Sequence, residues 1–203
     1  MNAIPDWASR NVSRETVDKL QAYAALIRKW TPKINLVAKS TLADLEVRHI
    51  WDSAQVFEER PGVWADLGTG GGLPGVVVAI LAQEQKREMQ CILVESDQRK
   101  AAFLRTCARE LELPIIVMAQ RVEDIPPLCA HTISARALAS LDMLLGFAQR
   151  HLTEDGLCIF QKGAQWRQEV AEAEKNWRFA YEAVPSKTDV EAVVLKIKDI
   201  QRV

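Results

Sequence analysis

An α/β fold built on a mainly parallel, twisted sheet, with an antiparallel hairpin at one edge and a helical extension at the N-terminus, is predicted by three features of this 203-residue sequence. From Val63 onward, short apolar runs alternate with helical patterns in the order that builds strand-helix-strand units. A glycine-rich stretch joins the first apolar run to the helix that follows it. The last two runs are separated by Pro185-Ser-Lys-Thr-Asp189, which is too short for a parallel crossover and therefore implies a hairpin.

The elements follow in order. Val17, Leu20, Ala24 and Ile27 recur at helical spacing, Ser13 is placed to cap the helix, and Val12 with Val17 can form a hydrophobic staple. These predict a helix over 13–30 stopped by Pro32, then a second helical stretch over 40–58 ended by Pro61-Gly62. Residues 1–61 are thus expected to form the extension and residues 62–203 the core, as a single compact unit. Within the core, strands are expected over 63–67, 91–94, 115–118, 132–135 and 157–160, with amphipathic helices over 74–83, 100–111, 140–151 and 166–176. The hairpin strands fall at 179–184 and 192–197.

Composition narrows the function classes. The sequence is 48% apolar and 26% charged, with a net charge of −1. No apolar stretch approaches the roughly 20 residues that span a bilayer, so no membrane association is expected. The N-terminus carries Pro5, Asp6 and Arg10 and does not read as a secretory leader, which points to the cytoplasm. Cys91, Cys107, Cys129 and Cys158 lack the paired spacing of a zinc site and read as reduced core residues, so no metal is expected. Although the whole molecule is near neutral, Lys19, Arg28, Lys29, Lys33 and Lys39 lie between Asp18 and Asp44 with no acid among them. They form either a solvated helix face or a local patch for a polyanion.

The loop Asp66-Leu-Gly68-Thr-Gly70-Gly-Gly72-Leu73-Pro74-Gly75 is shaped for a ligand, because glycines permit close backbone approach and Pro74 opens the helix. Two ligands compete for it. Gly70-x-Gly72-x-x-Gly75 satisfies the dinucleotide pattern, whereas Asp66-x-Gly68-x-Gly70 satisfies that of S-adenosylmethionine enzymes. A carboxylate at Asp66 would repel a pyrophosphate but suits the ammonium and sulfonium of S-adenosylmethionine, which has no phosphate. Glu95, ending the second strand, is placed to accept hydrogen bonds from the ribose hydroxyls of either cofactor. After the third strand, Gln120-Arg-Val122-Glu123-Asp124 offers an apolar side chain and carboxylates where adenine should lie.

Taken together, Asn35-Leu36, Arg48-His49-Ile50-x-Asp52-Ser53, the loop 66–75, Glu95-Ser96 with Arg99-Lys100 and Phe103-Leu104, Arg121-Val122-Glu123, Ser134-Ala-Arg136-Ala137 and Lys162-Gly163 make the sequence resemble the RsmG/GidB methyltransferases. That family methylates N7 of a guanine in bacterial 16S ribosomal RNA. The resemblance spans most of the chain, and a departure such as Val37, where a polar residue is frequent, is minor. It implies a Rossmann-like class I methyltransferase fold and contacts to S-adenosylmethionine from Gly68, Leu73, Val122, Glu123 and Arg136, with Asp66, Gly70 and Glu95 completing the pocket. It also implies 16S ribosomal RNA or the small ribosomal subunit, in mature or assembling form, as partner; the protein itself is expected to be a monomer.

Guanine N7 carries an in-plane lone pair and no proton, so transfer by direct displacement requires alignment rather than a general base, and no catalytic residue is assigned. The absence of an Asn/Asp-Pro-Pro-aromatic tetrad after the fourth strand, or of a cysteine there, agrees with a ring-nitrogen acceptor. Candidates for RNA contact are Lys29, Lys33, Lys39, Arg48, His49, Arg136 and Lys162. Asp52 lies three residues after His49 and four after Arg48, so a pair with either on one helical face is expected. His131 and His151 read as incidental, His151 because a helix C-terminus tolerates its charge. The competing readings are a methyltransferase acting on protein or a small molecule, an NAD-binding oxidoreductase, and an RNA-binding module that senses the cofactor without turnover.

Overall fold

The computed structural model describes residue 5, residues 12–85 and residues 88–203, so the start of the expected extension, including Asp6 and Arg10, lies outside the described residues. A seven-stranded sheet in the order β3-β2-β1-β4-β5-β7-β6 organises the rest. The strands are β1 (Gly62–Leu67), β2 (Met89–Val94), β3 (Ile115–Met118), β4 (Ala130–Arg136), β5 (Leu152–Lys162), β6 (Trp177–Pro185) and β7 (Val193–Arg202). The first five pair in parallel, and β7 joins β5 and β6 antiparallel, which is the expected edge hairpin with its second strand turned inward.

Alternating residues of the central strands feed two cores. On one face Trp64, Cys91, Leu93, Leu157 and Ile159 meet α1 (Arg14–Ile34), α3 (Gly75–Glu84) and α4 (Gln98–Glu110). On the other, Ala65, Leu67, Ile92, Val94, Cys158 and Phe160 meet α5 (Leu141–His151) and α6 (Trp166–Ala173). Helix α3 is buried from Gly75 to Ala82 rather than amphipathic, because α1 covers the side turned away from the sheet. The extension is therefore a layer of the same core, with Trp30 packed on Phe103 at a centroid distance of 5.6 Å. Among the described residues no helix is long and apolar enough to cross a membrane.

Several boundaries differ from expectation. Ser13 caps α1 by accepting from the Thr16 N–H, but Pro32 does not stop the helix. It sits in the last turn, and the end comes at Asn35, whose φ of 54° turns the chain while its N–H reaches the Thr31 carbonyl. The single helix expected over 40–58 is broken into a 3₁₀ turn at Lys39–Thr41, a π-helical turn at Glu46–Trp51 and a short α2 at Asp52–Ala54. Cys91, Cys107 and Cys158 are buried as expected, whereas Cys129 is exposed at a φ of 48°, on a loop rather than in the core.

Candidate active site

The glycine loop leaves β1 at its carboxyl end, where the strand order reverses between β1 and β4 and a crevice opens. Asp66 is the hub beneath it. Its Oδ2 accepts from the Gly75 N–H at 2.9 Å and from the Thr69 hydroxyl, and its Oδ1 accepts from the Ser134 hydroxyl at 2.7 Å. Ser134 in turn accepts from the Trp64 indole N–H at 2.9 Å. Only glycine fits at position 75, since a Cβ there would lie 2.8 Å from Asp66 Oδ2 and 2.3 Å from Leu93. Asp66 is fully buried, and burial pushes its carboxyl up to about 6 despite the hydrogen bonds from Thr69, Ser134 and Gly75 and the charge of Arg136. This corrects the expectation that the carboxylate meets a ligand ammonium at the loop entrance. It shapes the loop from below.

Above the loop the picture is open. Gly70, at a φ of 58°, has nothing nearer to an added Cβ than the Gly68 carbonyl at 4.0 Å, and its N–H donates to Glu95 Oε2 at 2.8 Å. Glu95 Oε1 accepts from the Asp97 N–H at 2.8 Å, leaving each carboxylate oxygen a second lone pair for a hydroxyl. Leu138 lies over Gly68. From there a cavity of about 810 Å³ extends across the carboxyl ends of β4 and β5, bordered by Arg48, Asp52, Arg136, Gln161, Thr188 and Val190 among others.

Residues 16–196 match the GidB family, described as rRNA small subunit methyltransferase G. The chain belongs to the GidB family. Two relatives, each called ribosomal RNA small subunit methyltransferase G, come from Ruegeria pomeroyi and Paracoccus denitrificans. The first is 52% identical over 98% of this chain and 99% of its own length. The second is 45% identical over 94% of this chain and 98% of its own. Among solved structures, an S-adenosylmethionine-dependent methyltransferase from Aquifex aeolicus aligns with a TM-score of 0.59 at 13% identity, over 86% of this chain and 97% of that one. TYW2 of M. jannaschii in complex with AdoMet aligns at a TM-score of 0.56 and 14% identity, over 85% and 80% of the two chains. At those identities the likeness establishes the Rossmann-like methyltransferase fold.

Within this GidB-family frame the expected contact residues divide. Gly68, Gly70 and Leu73 belong to the loop itself, Glu95 accepts from the Gly70 N–H, and Leu73 and Val122 are buried. Glu123 is exposed beside Arg121 at 2.8 Å, and its own backbone N–H and then that guanidinium hold its carboxyl below the usual range. Val122 is fixed by a residue that sequence reasoning set aside. His151 is fully buried, its Nε2 donates to the Val122 carbonyl at 3.0 Å, and burial lowers its pKa. It is a neutral strut rather than a charge at a helix end.

Arg136 pairs with Asp52 at 3.3 Å, the two side chains being 19% and 18% exposed. Neither Arg48 nor His49 meets Asp52 as expected, because the π-helical turn over Glu46–Trp51 removes the α-helical register that stacks residues three and four apart. Asp52 instead accepts from Gln55, Thr188 and Gln161 at 2.8, 2.6 and 2.6 Å. Arg48 is exposed at the cavity rim. His49 is hydrogen-bonded to Thr41 at 2.7 Å, and burial, with Arg136 and Arg48, brings its pKa down to about 4, so it is a neutral ring and no cation for phosphate. Lys162 borders the cavity but is buried, its ammonium committed to Glu169 at 2.7 Å and the Ala139 carbonyl at 2.9 Å. In the basic stretch, Lys19 and Arg28 are engaged with Gln83 and Glu46, while Lys29, Lys33 and Lys39 are exposed with no ion pair among the described residues.

Tyr23 gave no sequence signal beyond a polar tip in an apolar stripe. Its hydroxyl, fully buried on α1, donates to the Gly71 carbonyl at 2.5 Å and ties the extension to the glycine loop. Tyr23→Phe is expected to weaken S-adenosylmethionine binding about fivefold and cost about 1–2 kcal/mol of stability, the penalty of one unpaired buried carbonyl. Calorimetric titration beside urea unfolding checks both, with RNA affinity unchanged.

Proposed function

We propose that this protein transfers a methyl group from S-adenosylmethionine to N7 of a guanine in 16S ribosomal RNA, acting as a cytoplasmic monomer on the small subunit or its precursor. The observation that carries this reading is the adjacency, across the reversal of strand order, of a glycine loop cradled by Glu95 and a cavity bordered by Arg48 and Arg136 in a GidB-family chain. Bound at the loop, S-adenosylmethionine supplies a methyl group on a positively charged sulfur. Gly70 leaves the backbone bare for close approach, and Glu95 holds the ribose hydroxyls. Val122 offers an apolar surface to the base of the donor, buttressed by His151. Arg136 keeps positive charge beside the entering RNA, and Asp52 fixes its direction.

A reaction that removes no proton suits a cavity whose Asp52 and Glu169 carboxylates are already engaged with cations and donors. Neither is then asked to act as a base, and alignment carries the rate. RNA with a splayed nucleotide is the natural substrate, since N7 must reach the crevice.

The experiment is methyl transfer from labelled S-adenosylmethionine to unmodified small-subunit particles and to naked 16S RNA, followed by chemical cleavage at N7-methylguanine. Label at one guanine is expected. Transfer only to protein or a small molecule would overturn the reading.

Lys29 and Lys33 project from α1, and Lys39 follows it, all three exposed. Neutralising all three is expected to weaken RNA binding and lower the slope of log affinity against log salt by about 2–3, while leaving S-adenosylmethionine affinity unchanged. Equal loss of both affinities would remove this face from RNA docking.

A further inference from the structure

We propose that a second cleft, between the start of α6 and the end of β6, holds the nucleotide next to the methylated guanine, with its base stacked on the Arg167–Trp166 pair. The inference rests on the 16S RNA reading above and adds a binding site to it. A guanine that reaches the crevice has been drawn out of its stack, and its neighbour loses that stacking too. A protein surface that restacks the neighbour offsets part of the cost.

Such a surface lies beside the acceptor cavity. A cavity of about 500 Å³ is bordered by Trp166, Arg167, Ala183, Pro185, Val190 and Glu191. It shares Val190, Ala192 and Val193 with the larger one, so the two adjoin across the hairpin turn over 186–192. An RNA strand whose guanine fills the first therefore has the second within reach of the next nucleotide. Trp166 is half-buried and packed on the core beneath α6. The Arg167 guanidinium sits over its ring, 4.3 Å from the centre, and Arg167 is exposed. From the core outward the order is indole, guanidinium, solvent. Bases stack on guanidinium planes as they do on aromatic rings.

The charge balance favours a base over a phosphate. Glu191, exposed at the rim, offsets Arg167, so the lining has no net positive charge for the RNA backbone. What it offers is surface. Val190 stands fully exposed between the two cavities. The turn that carries it is held from behind: Gln55 donates to the Ser186 hydroxyl at 3.0 Å and accepts from the Lys187 N–H at 2.8 Å, and Asp52 accepts from Thr188 at 2.6 Å. A valine presented on a fixed turn packs against a base at little ordering cost. Along β6, Tyr181 lies on the same strand face as Ala183 and Pro185, exposed, with Phe179 at a centroid distance of 5.8 Å. Stacking surfaces thus continue away from the reacting centre.

The test uses the full chain, S-adenosylmethionine and 16S RNA made abasic at the nucleotide before or after the methylated guanine, which deletes a base and keeps every phosphate. For one of the two abasic RNAs the wild-type KM is expected to rise about tenfold with kcat unchanged, the worth of one stacked base. Arg167→Ala, at an exposed position, is expected to raise KM about tenfold on intact RNA, to show no further rise on that abasic RNA, and to bind S-adenosylmethionine as before. Arg167→Lys keeps the charge without the plane and should follow alanine. Wild-type indifference to both abasic RNAs would overturn the assignment and leave the cleft to another occupant, such as a protein segment of the subunit. A rise that persists in Arg167→Ala, or a lysine variant equal to wild type, would overturn it too, the latter by reducing Arg167 to a phosphate contact. Guanine-N7 methylation stands in all three cases. No transfer to intact RNA by the wild type would overturn the RNA reading, and this inference with it.

Discussion

Asp66→Ala is expected to lower methyl transfer at least 100-fold and to destabilise the fold by about 3–5 kcal/mol, because three buried donors lose their acceptor at once. The Gly75 N–H, the Thr69 hydroxyl and the Ser134 hydroxyl all converge on this one carboxylate, and with them goes the shape of the loop. Asp66→Asn separates shape from charge. One amide oxygen can still receive Gly75 and Thr69, and the Ser134 hydroxyl can turn to accept, so cofactor affinity is expected to stay within a few-fold of wild type. A 100-fold loss in the asparagine variant would instead reinstate direct contact between the carboxylate and the ligand.

Charge at Asp66 also sets a pH dependence. Burial raises its carboxyl from 3.8 to about 6, so between those values the folded protein holds a proton that the unfolded chain has released. Stability therefore declines as pH rises from about 4 to about 6, by something on the order of 3 kcal/mol, and is level above that. The asparagine variant lacks this contribution. Urea unfolding at pH 4 through 7 should show the variant gaining on wild type over that interval and no further; a parallel course would contradict the burial cost.

Glu95→Ala is expected to raise the dissociation constant for S-adenosylmethionine by about 100-fold or more, from the loss of two charge-assisted hydrogen bonds to the ribose at about 1.5–3 kcal/mol each. Glu95→Gln, which retains one acceptor, should lose about tenfold. The alanine variant also releases the Gly70 and Asp97 N–H groups, which lie at the crevice where water can replace the carboxylate, so the melting temperature should move little. Calorimetric titration beside thermal unfolding distinguishes the two effects. Binding within threefold of wild type would remove the ribose role from Glu95.

Legibility in the sequence followed the range over which each signal acts. The alternation of strands and helices, the Ser13 cap and the edge hairpin depend on neighbours a few residues apart, and all were readable. The glycine loop was readable because its geometry is written in consecutive residues. The break at residues 46–51 was not, since a π-helical turn has no compositional mark, and it sent Asp52 to partners on β4, β5 and the hairpin turn rather than to Arg48 or His49. Lys162 read as a free cation because Glu169, seven residues on, meets it only after β5 turns into α6.

By itself the sequence determined the alternation of strands and helices, the ligand-shaped loop and the acid that follows β2, because local spacing and backbone freedom dictate them. The tertiary structure decided what the charges do. It buried Asp66 and made it a scaffold, drew His49 and His151 into neutral service, and placed Tyr23 against a loop 48 residues away. The physical reason is desolvation: a polar group's role is set by which partners remain once water is removed, and those partners come from distant parts of the chain.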